Sequence, residues 1–217
     1  MTESSPSTST ALVRGSLRDQ IRQMIVDGLV SGRWQPGDRI VERRIAAELE
    51  VSQAPVREAL RELETLRIVE SSPNKGARVR AFTADDLAEI YPVRAGLEQV
   101  AAELALPRLS GDVTALEHHL ARMRQATDTA AQVRNIFAFH REIVRAAGNA
   151  VLLHSWESLG LEVWTAVGLR LRGLTLAEEA ADHEPIVAAF RRGDPAIGTL
   201  LRDHVLGCAT AEAHPAA

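Results

Sequence analysis

The stretch "VSQAPVREALRELETLRIVESSPNKGARV", Val51–Val79, decides the fold. After a break at Glu50-Val51, Ser52 stands where a helix N-cap is expected, and Pro55 is tolerated because it falls in the first turn. Val56, Leu60 and Leu63 recur at helical spacing, with Ala59 and Leu66 beside them, and define an inward face. Gln53, Arg57 and Arg61, four apart, share the outer face near the helix start. Two short strands are expected next, at about Ile68–Ser71 and Ala77–Arg80. They flank "SPNKG", whose Asn and Gly suit the positive φ of a hairpin turn.

Upstream, Leu17, Ile21, Ile25 and Leu29 mark one face of a first helix that "SGRWQPGD" ends. A short second helix covers about Val41–Glu50, with Ile45 and Leu49 inward. Three helices followed by a hairpin make a winged helix-turn-helix, whose third helix enters the DNA major groove with its first residues leading. Gln53 can pair with adenine, and Arg57 with guanine or phosphate. The alternative for Gln53, Arg57 and Arg61 is a merely solvated helix face.

Charge supports the same division of labour. The net charge is −4, yet residues 13–80 hold 13 Lys+Arg against 10 Asp+Glu, whereas the part after Arg80 holds 12 against 18. A mildly basic front on an acidic body directs only the front toward a polyanion. Lys75, in the hairpin, is the sole lysine.

The segments "SGRWQPGDRI", "ERRIAAELEVSQAPVREALRELETLRIV" and "NKGARV" resemble the N-terminal domain of GntR-type transcription regulators, over nearly all of residues 15–80. The resemblance implies DNA contacts from Arg43, Ser52, Gln53 and Arg57, and from Lys75 and Gly76 at a wing tip that reaches toward the minor groove. Gln53 stands where an Arg is common in that family.

From Thr83 onward the periodicity is helical throughout. Breaks at "LPRLSGD", "TDTA", "AAGNA", "LRGLT" and "RRGDP" predict an antiparallel six-helix bundle, with helices at about 83–106, 112–127, 130–147, 150–172, 175–192 and 195–210. The chain is therefore mainly α, with a DNA-binding domain over 13–80, a helical effector-binding and dimerisation domain over 83–210, and disordered tails at 1–12 and 211–217.

Three of the seven histidines fall on inward stripes. His140 lies with Ile136, Phe137 and Val144, His183 with Ala180 and Val187, and His204 with Leu201 and Cys208. His118, His119 and His154 fall off their stripes, and His214 is in the tail. Alone, each inward imidazole reads as a core residue with one hydrogen bond. Three on three helices can instead share one divalent ion such as zinc. Arg94, in line with Leu87, Ile90 and Leu97, needs an anion: either Glu98, four residues on, or a ligand carboxylate held bidentately. Arg170, on the stripe of Trp156, Val163 and Val167, is a second candidate for an effector.

"YPVRAGLE", "FHREIVRAAGN" and "HEPIVAAFRRGDPAIGTLLRDHV" resemble the FCD effector domain of the FadR branch of the same regulators, over about 83–210. That resemblance implies a divalent metal on His140, His183 and His204, with Ile136 in place of the family's Asp. It also implies a small organic acid as effector.

The expected function is a ligand-responsive repressor that binds a palindromic operator as a homodimer. An effector-independent architectural DNA-binding protein and a metal-dependent hydrolase are the rival classes. The hydrolase lacks a placed general base and an HExxH helix. One cysteine, no secretory h-region and no apolar run of roughly 20 residues point to a soluble cytoplasmic protein without a membrane partner.

Overall fold

The computed structural model describes residues 9–72 and 76–209, and divides the chain into two units, Met1–Ala81 and Phe82–Ala217. In the first unit the order is α1 (Ser9–Val30), β1 (Arg39–Ile40), α2 (Glu42–Glu48), α3 (Gln53–Thr65), β2 (Val69–Ser72) and β3 (Gly76–Val79). Ile21, Ile25 and Leu29 of α1, Ile45 of α2, and Val56, Ala59, Leu60 and Leu63 of α3 are buried, as the helical spacing predicts. Leu49 and Leu66 are half-buried. Helical backbone begins at Ser9, within the 12 residues expected as a tail, and residues 1–8 lie outside the described residues. Asn74 and Lys75 of the wing tip lie outside the described residues, as does His214.

The sheet has a third strand that the hairpin pattern did not announce. Its order is β1-β3-β2, antiparallel, with Val69 opposite Val79 and Ile40 opposite Ala77. Gly37, at φ 90°, turns the chain so that its N–H donates to the Val79 carbonyl at 2.9 Å, and Val79 N–H donates back to the Asp38 carbonyl at 2.9 Å. A two-residue strand has too little periodicity to register in sequence, and only the pairing of Ile40 with β3 defines it.

The turn between α2 and α3 places Glu50 at φ 54°, a left-handed conformation that is costly for a residue with a Cβ. Ser52 is the N-cap of α3, but its hydroxyl makes no capping bond. One of the two amides it could have served belongs to Pro55, which has no N–H.

The second unit contains α4 (Ala84–Leu109), α5 (Thr114–Arg124), α6 (Thr129–Ala146), α7 (Ala150–Glu157), α8 (Leu161–Arg172), α9 (Leu176–Ala181), α10 (Glu184–Arg192) and α11 (Ile197–Gly207). Eight helices thus replace the six expected, among the described residues. The run 150–172 is cut by Gly160 at φ 65°, and the run 175–192 by a turn at Asp182 with His183 at the N-cap of α10. Gly148 and Gly193 do end helices in the left-handed conformation, as their positions indicate. Thr83 and Asp86 form a capping box that opens α4, and the helix runs on through Pro107 to Leu109.

Helix α4 is the spine of this unit and packs against α6, α7, α8, α10 and α11. Tyr91, Leu116, Met123, Phe139, Trp164 and Phe190 form one core cluster, and Ala101, Val144, Trp156 and Leu161 a second. Among the described residues no helix is long and apolar enough to cross a membrane.

Candidate nucleic-acid interface and metal centre

In the first unit the exposed side chains of α3 and its neighbours define a groove of about 570 Å³, lined by Arg39, Arg43, Gln53, Arg57 and Arg61 with Gly76 of the wing. Gln53, Arg57 and Arg61 are all exposed and on one face, as their spacing of four requires. Arg57 is held by Glu42 at the start of α2, through Nε and Nη2 to the same carboxylate oxygen at 3.0 Å. Among the described residues Arg43, Gln53 and Arg61 have no side-chain partner and stay available. Ser52, Gln53 and the first turn of α3 present a free hydroxyl and unpaired N–H groups, which suits a phosphate oxygen. Gly76 has φ 74°, and Lys75, the other wing candidate, lies outside the described residues.

In the second unit α6, α10 and α11 bring His140, His183 and His204 together: one nitrogen from each lies within 4.8 Å of the others. The hydrogen bonds determine which nitrogens carry protons. His183 Nδ1 is 2.7 Å from the Glu179 backbone carbonyl, which can only accept, so Nδ1 donates and the Nε2 lone pair is free. His140 Nδ1 donates to Glu98 Oε2 at 2.6 Å, which leaves its Nε2 lone pair free as well. These two Nε2 atoms face each other at 3.2 Å. His204 is half-buried, yet its Nε2 is covered and has no partner among the described residues.

Two lone pairs so close form no hydrogen bond unless one ring is protonated, and burial opposes that. It pushes His140 down against the pull of Glu98, and, with His140 nearby, takes His183 down to about 3. His204 is held well below its ordinary value by burial and then by His183. A cation between the rings would resolve the conflict. Tetrahedral zinc with Zn–N of about 2.0–2.1 Å needs neighbouring nitrogens roughly 3.3 Å apart, close to the His140–His183 spacing.

Glu98 is the hub behind this cluster and is fully buried. Its Oε1 accepts from Arg94 Nε at 2.7 Å and from Trp156 Nε1 at 2.9 Å. Burial alone would raise this carboxyl, but Arg94 and then His140 outweigh it and hold Glu98 below the usual carboxylate range. The arrangement is a carboxylate–histidine pair of the kind that orients a metal ligand. Arg94 is thus ion-paired with Glu98, the first of the two anions considered for it, and also reaches Thr165 Oγ1 at 3.4 Å.

A small cavity of about 20 Å³ adjoins the imidazoles and is lined by Arg94, Ile136, Thr165, Arg172 and Glu179, among others. Arg170 is exposed and does not face it. Of the stripe that pointed to Arg170, Trp156 belongs to α7, while Val163 and Val167 share α8 with Arg170, which falls in the last turn of that helix, where it is exposed. Within α8 the positions in step are Leu161, Thr165, Gly168 and Arg172. Arg172 Nη1 donates to Glu179 Oε2 at 3.2 Å and to Cys208 Sγ at 3.3 Å, and Nη2 donates to Asp182 Oδ2 at 2.5 Å. Burial raises the Cys208 thiol to about 11, so it stays protonated despite Arg172. Asn135 points elsewhere and donates to the Arg122 carbonyl at 3.1 Å. The sequence reading missed Arg172, Thr165 and Glu179. For Glu179 the available signal was its position four residues before His183.

The groove of the first unit and the buried cavity of the second define a DNA-binding transcription regulator with a ligand-sensing domain. Residues 17–79 match the bacterial regulatory proteins of the gntR family and residues 89–206 match the FCD domain, so the chain belongs to the GntR family of regulators, in its FCD-bearing branch. The "Probable D-xylose utilization operon transcriptional repressor" of Paenarthrobacter nicotinovorans is 38% identical over 213 residues, 95% of this chain and 93% of that one. The gluconate operon transcriptional repressor of Bacillus licheniformis is 31% identical over 194 residues, 86% of this chain and 76% of that one. Among solved structures, E. coli McbR/YncC superposes with a TM-score of 0.71 at 24% identity, covering 89% of this chain and 93% of that one, a likeness of fold.

Proposed function

We propose that the chain is a metal-dependent, effector-responsive repressor. Residues 13–80 act as its DNA-binding domain and residues 83–210 as its effector and dimerisation domain. The observation that carries the reading is the pair of Nε2 lone pairs of His140 and His183 facing each other at 3.2 Å, with His204 Nε2 unpartnered beside them. One divalent ion, zinc by its preference for imidazole, is held by these three residues. Held there, the ion would supply a Lewis-acidic position for an oxygen of a small carboxylate metabolite. Arg94 and Arg172 line the space where that metabolite sits. The names of the xylose and gluconate operon repressors support a target among genes for the use of a small metabolite.

On the DNA side Arg43, Ser52, Gln53 and Arg57, with Gly76 and Lys75 at the wing, contact a half-site. A homodimer reads a palindrome. Val93, Val100 and Leu104, exposed along one face of α4, support a second copy as partner. Selection of duplexes from a random library by the zinc-loaded protein tests the whole reading. Enrichment of an inverted repeat, with binding weakened by a metabolite only when zinc is present, is the expected result. Enrichment of no symmetric site, or identical behaviour in chelator, refutes it.

A further inference from the structure

Glu179 combines two features that rarely occur together: it is 2% exposed, and its Oε1 has no hydrogen-bond partner among the described residues. Burying a carboxylate oxygen without a donor is costly, so such a group is retained where something else supplies the donor. Among the described residues its other oxygen accepts only from Arg172 Nη1, at 3.2 Å. The side chain lines the cavity beside the three imidazoles.

The cations around this cavity are already committed. Arg94 is paired with Glu98, and Arg172 is shared between Glu179 and Asp182. The unmet demand on this wall is therefore for a hydrogen-bond donor and not for another anion. Ile136, on the same lining, offers neither. Direct coordination of the ion by Glu179 is not what the geometry favours. The atoms that lie within 4.8 Å of one another come from His140, His183 and His204, and no Glu179 oxygen is among them. The carboxylate instead lines the same cavity as the three imidazoles without joining their cluster.

We infer that Glu179 is a specificity residue of this cavity, accepting a hydrogen bond from a hydroxyl of the molecule that binds the ion, so that the site selects hydroxylated carboxylates over plain ones. The inference rests on the metal and effector reading given above and deepens it. A carboxylate oxygen of the ligand occupies the ion, and a neighbouring hydroxyl satisfies Glu179 Oε1. An acid without the hydroxyl leaves that oxygen buried and unpaired, the situation in which a polar site discriminates most strongly.

The test uses the full chain loaded with Co²⁺, whose visible absorption reports tetrahedral coordination, titrated with glycolate and with acetate. These probes differ by one hydroxyl, and their relative affinity for free Co²⁺ in buffer provides the baseline. The wild type should prefer glycolate by roughly tenfold or more beyond that baseline, the discrimination expected of a hydrogen bond to a charged group. Glu179→Leu should remove the excess preference, read as the glycolate-to-acetate affinity ratio and not as either affinity alone. Glu179→Gln keeps an acceptor oxygen in the same shape and should retain part of it. Should the Leu variant fail to fold, as judged by its melting curve, a several-fold loss in the Gln variant carries the test. Binding of both probes with the same ratio in the wild type and in the folded variants overturns this inference alone. No stoichiometric cobalt uptake, or no spectral response to either probe, overturns the metal and effector reading and this inference with it.

Discussion

Acidifying the metal-free protein from pH 7 to pH 5 should destabilise the second unit and leave the first nearly untouched. His183 titrates at about 3 in the fold, because burial and then His140 disfavour its charged form, whereas an unfolded histidine titrates near 6.5. Between those values the unfolded chain binds a proton that the folded chain refuses. Stability therefore rises with pH across this window, is fully present above about 6.5, and is lost as pH falls toward 3. For His183 alone the loss at pH 5 is about 2 kcal/mol. His140 and His204 are depressed in the same direction and add to it. Glu179 opposes them: burial raises its carboxyl above the ordinary value, so near its own range the fold takes up a proton first. Residues 1–81 contain no histidine, which makes unfolding of the first unit an internal control. Urea denaturation followed by circular dichroism in chelator at pH 7, 6 and 5, on the wild type and on His183→Leu, measures the effect. A flat wild-type profile, or an equal slope in His183→Leu, refutes the reasoning. Zinc at about 100 times its Kd should add about 2.7 kcal/mol at neutral pH and lose that contribution on acidification, because only neutral imidazole ligates.

Removing the charge of the hub by Glu98→Gln should cost about 3–5 kcal/mol, since it strands Arg94 in the core, and should weaken metal binding about 10- to 100-fold by releasing the His140 tautomer. Urea melts and equilibrium dialysis check the two effects separately. Arg57→Ala and Arg43→Ala should each weaken operator binding by about 1–3 kcal/mol if they meet bases, and chiefly flatten the salt dependence if they meet phosphates. Glu42→Gln should do the reverse and tighten binding, because it frees Arg57 from its pair; fluorescence anisotropy on one duplex ranks all three. Glu50→Gly relieves a left-handed backbone at φ 54° and should stabilise the first unit by about 1 kcal/mol, seen as a higher melting temperature.

Much of this architecture was legible in the residue order because helices and short strands are periodic and side chains must alternate between core and water accordingly. Ile21, Ile25, Val56, Leu60 and Leu63 are buried where the spacing placed them, the outer face of α3 carries Gln53, Arg57 and Arg61, and Gly148 and Gly193 end their helices. The three inward histidines were visible for the same reason. Periodicity, however, holds only while a helix stays unbroken. The left-handed turn at Gly160 splits the helix expected over 150–172, and in the last turn of α8 it is Arg172, not the exposed Arg170, that lines the cavity. Strand β1 escaped notice because two residues have no period. What the tertiary structure alone decided is the chemistry of the cavity: that Glu98 of α4 turns the His140 ring, that the lone pairs of α6 and α10 confront each other, and that Glu179 is buried with an oxygen left over. Each of those facts joins residues on different helices or depends on how they pack. Local spacing sets which face a side chain occupies, but only packing between helices sets what it meets there.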